Sequence, residues 1–146
     1  MGYALKSPET EQEWHDYYRM RWQVLRAPWN QPPGSERDEL ENSAFHLMAI
    51  TDTHQLIGVG RIHRLSSRSA QIRYMAVHLD LARQGIGSML LAGLENQART
   101  WQSSEIVLNA RTSCLAFYQK HNYDVIADAP TMFGSIAHKR MRKLLG

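Results

Sequence analysis

Cysteine is almost absent: Cys114 stands alone among 146 residues, which rules out an internal disulfide and fits a reducing compartment, the cytoplasm. No apolar run approaches the roughly 20 residues of a membrane span, and the N-terminus has no signal-peptide core, so no membrane is expected. Met1-Gly2 opens like a myristoylation signal, but Lys6 stands where that signal needs Ser or Thr. The seven histidines are scattered, with no pair three or four apart and no Cys beside one, so no metal site is expected. Neither sign of charge dominates: 17 Lys and Arg face 14 Asp and Glu, a net charge of +3. Such a mild excess suits an anionic ligand such as a phosphorylated cofactor without requiring nucleic acid, for which no recognition motif appears. Repeats, linkers and low-complexity tracts are also missing. With 43% apolar and 21% charged residues, residues 1–146 read as one globular domain able to build a core.

What the chain does have is an organising stretch from Ile72 to Leu91. Ile72–Val77 reads as a buried strand with Arg73 as its one charge. Then come Gly85 and Gly87, followed by an amphipathic helix over Ile86–Trp101 whose Ile86, Leu90, Leu94, Ala98 and Trp101 make one apolar stripe. The first N–H groups of a helix have no intrahelical acceptor and carry the positive end of the helix dipole. Glycines there remove the Cβ atoms that would hold an anion away. The arrangement is a phosphate seat, or else a tight turn whose glycine fits a crowded packing point. Two familiar phosphate loops do not match. The dinucleotide pattern needs a further glycine where Leu90 stands, and a Walker loop needs a lysine that does not follow Gly87.

In chain order, Tyr3–Lys6 is a short first strand, and Thr10-Glu11-Gln12-Glu13 is a capping box opening a helix to about Leu25. Pro28, Pro32, Pro33 and Gly34 break the chain, and Ser35–Glu41 is expected as a short acidic helix capped by Ser35. Phe45–Thr51 and Gln55–His63 are strands around an Asp52-Thr53-His54 turn, with Gly58 and Gly60 marking a bulge. With the central strand they form an antiparallel meander. Glu105–Asn109 follows the long helix, so a crossover makes it parallel to Ile72–Val77. Ser113–His121 is a helix with Asn122 in the left-handed position at its end. Tyr123–Ala127 and Ile136–Met141 are the last strands, joined by an Asp128–Gly134 loop.

The stretch Met75-Ala76-Val77 followed by Gly85-Ile86-Gly87 resembles motif A of the GNAT superfamily, the Gcn5-related N-acetyltransferases. The leading Arg/Gln of that motif falls on Ala82, with Arg83 beside it. A second stretch resembles motif B: Val107-Leu108-Asn109-Ala110-Arg111, then Leu115-Ala116-Phe117-Tyr118-Gln119-Lys120-His121-Asn122-Tyr123, with Asn122 in place of a glycine. Two motifs in order are far more specific than either alone. The tail from Gly134 to Met141, centred on His138, is similar to the Gly-Ile-Pro-His-x-x-Met ending of a small bacterial branch with unassigned substrates. The resemblance implies an α/β mixed sheet in the order β-α-(α)-β-β-β-α-β-α-β-β and acetyl-CoA as cosubstrate. Main-chain groups of Met75, Ala76 and Val77 would hold its pantetheine arm. Arg83, Gln84, Gly85, Ile86, Gly87 and Ser88 would hold its pyrophosphate, with Asn109, Phe117 and Tyr118 completing the cofactor site.

By the same resemblance Tyr118 is the acid that protonates the departing thiolate; its bland alternative is a half-buried tyrosine on an amphipathic helix. An amine of pKa ~10.4 must lose its proton before it attacks. His138 is the candidate base and His63 the alternative, while Gln71 and Arg73 are no use as bases. The run Glu36, Asp38, Glu39 and Glu41 reads as a lure for a cationic acceptor or as a solvated helix face. Cys114 reads as a small buried residue, and Lys139, Arg140, Arg142 and Lys143 as a solvated basic strand end. The expected reaction is direct transfer of acetyl to a small-molecule or peptide amine. Its rivals are a non-catalytic CoA-binding module and a basic nucleic-acid-binding protein. The acceptor's identity and a homodimer stay open, the acceptor being set by the Pro28–Glu41 loop and the last hairpin.

Overall fold

Alternating apolar residues and short turns build one mixed sheet with a helix packed on each face. The computed structural model describes residues 2–78 and 85–146. Its strands are β1 (Tyr3–Lys6), β2 (Phe45–Thr51), β3 (Leu56–Arg64), β4 (Ser69–Val77), β5 (Glu105–Arg111), β6 (Asp124–Met132) and β7 (Ile136–Leu144). They lie in the order β1-β2-β3-β4-β5-β7-β6. All neighbours are antiparallel except β4 and β5, which the crossover through helix α2 (Ile86–Thr100) makes parallel.

Helix α1 (Glu11–Leu25) covers one face. Thr10 accepts from the Glu13 N–H at 3.0 Å while the Glu13 carboxylate accepts from the Thr10 N–H at 3.1 Å, so the capping box forms as expected. Helix α2 covers the other face, and its Ile86, Leu90, Leu91, Leu94 and Ala98 sink against Leu47, Ile57, Ile62, Ile72, Ile106 and Leu108. The final helix α3 (Leu115–Lys120) closes the β5 side. Asn122 takes the left-handed conformation, φ 72°, that ends it. The register slips expected near Gly58 and Gly60 are present, opposite Ala49/Ile50 and beside Val59/Arg61.

Four expectations are corrected. Ser35–Glu41 is not a helix but a series of turns, followed by a one-turn 3-10 segment at Glu41–Ser43. Its acidic side chains bond local N–H groups instead of leaving them to a helix: Glu36 accepts from Gly34, Asp38 from Leu40 and Glu41 from Asp38. The parenthesised second helix is thus reduced to this turn and the Ala27–Trp29 turn. The helix expected from Ser113 begins as a 3-10 turn, and its α part starts at Leu115. The last hairpin is also longer than expected. Pro130 reads as a loop residue, but β6 is the sheet edge, where a missing N–H breaks no ladder. Finally, Lys143 is no solvated tail: it donates to Glu95 at 3.1 Å, and Tyr123 donates to the same carboxylate at 2.8 Å. No described helix is long and apolar enough to cross a membrane.

Candidate functional site

The site begins where two parallel strands part. β4 and β5 pair only over Ser69–Gln71 and Glu105–Val107. Beyond that, β4 keeps its bonds to β3, and β5 keeps its bonds to β7 as far as Arg111. The inner edges facing each other therefore carry backbone groups with no strand to pair with, a template for an extended ligand with amides of its own. Between them lies a cleft of about 470 Å³. Ile72–Val77 form one wall and Leu108–Arg111 the other, with Tyr118 and His138 also on its lining.

A bulge lies on β4 beside the gap. Tyr74 has φ 59°, a left-handed conformation that a non-glycine residue adopts at a cost. Val59 pairs with Ala76 and Arg61 with Arg73, so Tyr74 and Met75 together face the single residue Gly60.

The tip of α2 adjoins this cleft. Gly85 caps the helix with φ 82°, and the Met89 N–H returns to the Gly85 carbonyl at 3.0 Å. The N–H groups of Ile86, Gly87 and Ser88 precede that first intrahelical bond, as an anion seat requires. Gly87 is also a packing glycine. A Cβ there would come within 3.3 Å of the Phe117 ring and 3.8 Å of Val77. The two readings of the Gly-x-Gly are thus compatible: Gly85 supplies the turn and Gly87 lets α3 and β4 close on the helix tip. Ser88 Oγ shares a 2.9 Å hydrogen bond with His121 Nε2, fastening α2 to the end of α3. Arg83 and Gln84 lie outside the described residues.

Met75, Ala76, Val77, Asn109, Tyr118 and His138 share the cleft, while Gly85, Ile86, Gly87, Ser88 and Phe117 gather at the helix tip beside it. The Tyr118 ring packs edge-on against Phe117 and Tyr123. Burial raises the pKa of its phenol, Cys114 adds to the shift and Arg111 opposes it. Among the described residues none hydrogen-bonds its hydroxyl, so that proton is held and uncommitted. His138 Nδ1 lies 2.9 Å from the Ile136 carbonyl, an atom that can only accept. Nδ1 therefore carries the hydrogen, and in the neutral ring Nε2 carries the lone pair. Cys114 is exposed, not buried as expected, and lies on the cleft wall.

The acidic run plays neither expected part. The side chain of Arg61, fully buried, donates to Asp38 at 2.7 and 3.0 Å and to Glu41 at 2.8 Å. Arg21 donates to Glu41 at 3.0 Å, and Arg73 to Asp38 at 2.9 Å. Burial works to raise the Asp38 pKa, but the bonds from Arg61 and Leu40 and the charge of Arg73 outweigh it and hold the pKa at about 2. His63 is not a base in the cleft. It is buried away from the lining, and its Nδ1 accepts from Arg61 at 3.1 Å. Burial first, then the Arg61 charge, depresses its pKa.

The two segments left to define the acceptor meet. Trp29, after α1, stacks on Phe133 at the tip of the β6–β7 hairpin, with ring centroids 6.1 Å apart. Arg111 lies 4.5 Å over the Trp29 ring and Arg26 lies 5.3 Å from Phe133. Sequence reading gave no role to Arg26, Tyr74 or Phe133. Their signal is a conjunction of distant segments, which no spacing within one segment reveals. Among the described residues no cluster of three side chains suited to a metal ion occurs.

Comparison with known proteins agrees with this geometry. A family model described as "Acetyltransferase (GNAT) domain" matches residues 30–145. The chain is 29% identical over 135 residues to a Bacillus subtilis (strain 168) protein described as "Uncharacterized N-acetyltransferase YjcF", covering 92% of this chain and 95% of the relative. Among solved structures, Ard1 from Thermoplasma volcanium superposes with a TM-score of 0.82 at 18% identity, covering 100% of this chain and 99% of that one. A GNAT family acetyltransferase from Elizabethkingia anophelis, with acetyl-CoA bound, superposes with a TM-score of 0.75 at 13% identity, covering 98% of each chain.

Proposed function

The chain belongs to the GNAT acetyltransferase family, and from that premise we propose that it moves the acetyl group of acetyl-CoA to a primary amine by direct attack in a ternary complex. The observation that carries the proposal is the parting of β4 and β5 after Gln71 and Val107, with the uncommitted Tyr118 hydroxyl on the wall of the gap. The pantetheine amides bond the free inner edge of β4 at Met75–Val77, as an added strand would. The diphosphate rests on the N–H groups of Ile86, Gly87 and Ser88, with the Phe117 ring packed beside Gly87. Asn109 faces the pantetheine arm from β5.

His138 Nε2, directly or through a water, takes a proton from the acceptor ammonium. The amine lone pair then forms the new C–N bond at the thioester carbonyl carbon. As the tetrahedral adduct collapses, the C–S bond breaks and its electron pair leaves on sulfur. Tyr118 gives its proton to that thiolate, and the proton remaining on the nitrogen passes to solvent. The products are an amide and free CoA thiol, and the two proton carriers exchange protons with water before the next turnover. A phenol near pKa ~10 releases its proton to a thiolate near ~8.5 only across a short, fixed distance, so most of the acceleration comes from positioning.

Calorimetry with acetyl-CoA and a free-thiol assay over a panel of amines test this. Binding with amine-dependent thiol release is the expected result. Binding without turnover on any amine supports a CoA-binding module instead, and no binding at all overturns the reading.

A further inference from the structure

The acceptor end of the cleft is lined by cations that outnumber the carboxylates bonded to them. Arg26, Arg73 and Arg111 all line it, and no described lining residue is Asp or Glu. Asp38, which Arg73 bonds, and Glu41 are already shared among Arg21, Arg61 and Arg73, so three guanidinium groups draw on two carboxylates. Arg26 bonds the Ser35 and Leu25 carbonyls, and Arg111 rests on the Trp29 ring; among the described residues neither meets a carboxylate.

The arginines are close enough to feel one another. Burial lowers the pKa of Arg26, a contact with Tyr74 opposes it, and the charges of Arg73 and Arg111 depress it further. Tyr74, turned inward by its left-handed backbone, puts its ring 4.6 Å from Arg73 and 5.4 Å from Arg26. Arg26 and Trp29 follow α1, Arg111 rests on Trp29, Arg73 bonds Asp38 and Tyr74 packs on Arg21 of α1, so these side chains lie on the α1 side of the sheet, whereas the phosphate seat is the tip of α2 on the other side. The cofactor's diphosphate therefore does not neutralise them.

We propose that the acceptor is an amine carrying an anionic group, a carboxylate or a phosphate, held by Arg111, Arg26 and Arg73 while its nitrogen faces His138 and the thioester. This rests on the N-acetyltransferase reading and narrows its substrate. Three partly desolvated guanidinium groups repel a polyamine and reward an anion through charge-assisted, fork-shaped hydrogen bonds. The Trp29–Phe133 stack then closes over the acceptor and limits its length.

The test compares matched acceptors on the full chain: glycine and other amino acids against their amides, and O-phosphoethanolamine against ethanolamine, with spermidine as the cationic extreme. At neutral pH an amino amide is less protonated at nitrogen than its acid, so amine ionisation works against the expected outcome. The anionic member of a pair should show kcat/KM about tenfold to a hundredfold higher, the range for hydrogen bonds to charged groups. That ratio should shrink with added salt. Arg111→Gln should cut the anionic-over-neutral ratio at least fivefold while calorimetry still finds acetyl-CoA bound. The wild-type pairs decide the matter even if the variant does not fold. Equal or higher kcat/KM with neutral amines or spermidine overturns this inference alone, whereas silence across the whole panel overturns the N-acetyltransferase reading beneath it.

Discussion

The two faces of the sheet are made of opposite materials. Under α2 the packing is mostly apolar, with Leu90, Leu94 and Ala98 against Ile57, Ile62 and Ile72 and one buried carboxylate, Glu95, bonded by Tyr123 and Lys143. Under α1 an apolar patch of Tyr17, Met20, Met48 and Val59 grades into a buried polar layer. There Tyr17 meets His46 Nδ1 at 2.9 Å, Arg21 meets Tyr17 at 3.0 Å, and Arg61 spans Asp38, Glu41 and His63. The difference teaches where rigidity and function are kept. The polar layer is committed to itself and fixes the α1 segment and the acidic loop against β4. The drier face holds its helix mainly by apolar area, with the Ser88 to His121 bond and the Glu95 bonds at its margins, and leaves the N–H groups of its helix tip at the cleft.

The sharpest way to break that contrast is Arg61→Met. It takes the shared cation from Asp38 and Glu41, whose side chains are only 12% and 10% exposed, and leaves them Arg73 and Arg21 alone. Removing one partner of a buried pair costs about 3–5 kcal/mol, and the remaining arginines hold the loss to the low end of that range. Urea unfolding should show that loss, and Tm should fall by roughly 10 °C. Acetyl-CoA affinity of the folded fraction should stay within about twofold, because the proposed diphosphate seat lies at the tip of α2, on the other side of the sheet.

Tyr118→Phe should do the reverse. Removal of a hydroxyl that no described residue bonds leaves stability within about 0.5 kcal/mol, while kcat falls about a hundredfold, the typical worth of a general acid. An unchanged rate across pH removes the acid role.

Gly87→Ala separates packing from ligand access. Alanine gains about 1 kcal/mol of helix propensity, which offsets most of the crowding against Phe117 at 3.3 Å. Tm should therefore move little, while the new methyl group at the helix tip weakens acetyl-CoA binding about three- to tenfold by calorimetry.

The smallest effect is one of pH. Burial depresses the pKa values of His46 and His63, and neighbouring arginines deepen both shifts. Above their ordinary value near 6.5 both states are neutral and nothing is lost. As pH falls below it the unfolded chain takes up protons that the folded layer refuses, so stability declines toward the depressed folded values. A Tm series from pH 7.5 to 5.5 should show a modest drop. His63→Asn, which keeps an acceptor for Arg61, should make that drop smaller.

Legibility followed the reach of each signal. The capping box at Thr10, the apolar stripe from Ile86 to Ala98 and the left-handed Asn122 are written within a turn or two of chain, and each stands as read. Pro130 misled because its tolerance depends on β6 being the edge, which is a fact about neighbours. Asp38 and Glu41 misled for the same reason: a run of acids looks solvated until Arg21 and Arg61, from a helix and a strand elsewhere, arrive beneath it. The sequence puts His138 ahead of His63 without a physical reason; the difference between them, burial against Arg61 for His63 and a bond to the Ile136 carbonyl for His138, exists only in the fold.

By itself the sequence determined the succession of strands and helices, the family, and the glycine turn that opens α2, because periodicity, caps and backbone freedom act between residues close along the chain. Only the tertiary structure decided how far β4 and β5 separate, that Trp29 meets Phe133, and that Arg26, Arg73 and Arg111 line the cleft with only Asp38, shared with Arg61, bonded to one of them. Charge and burial act through space, and the distances that set them exist only after segments far apart in sequence have packed.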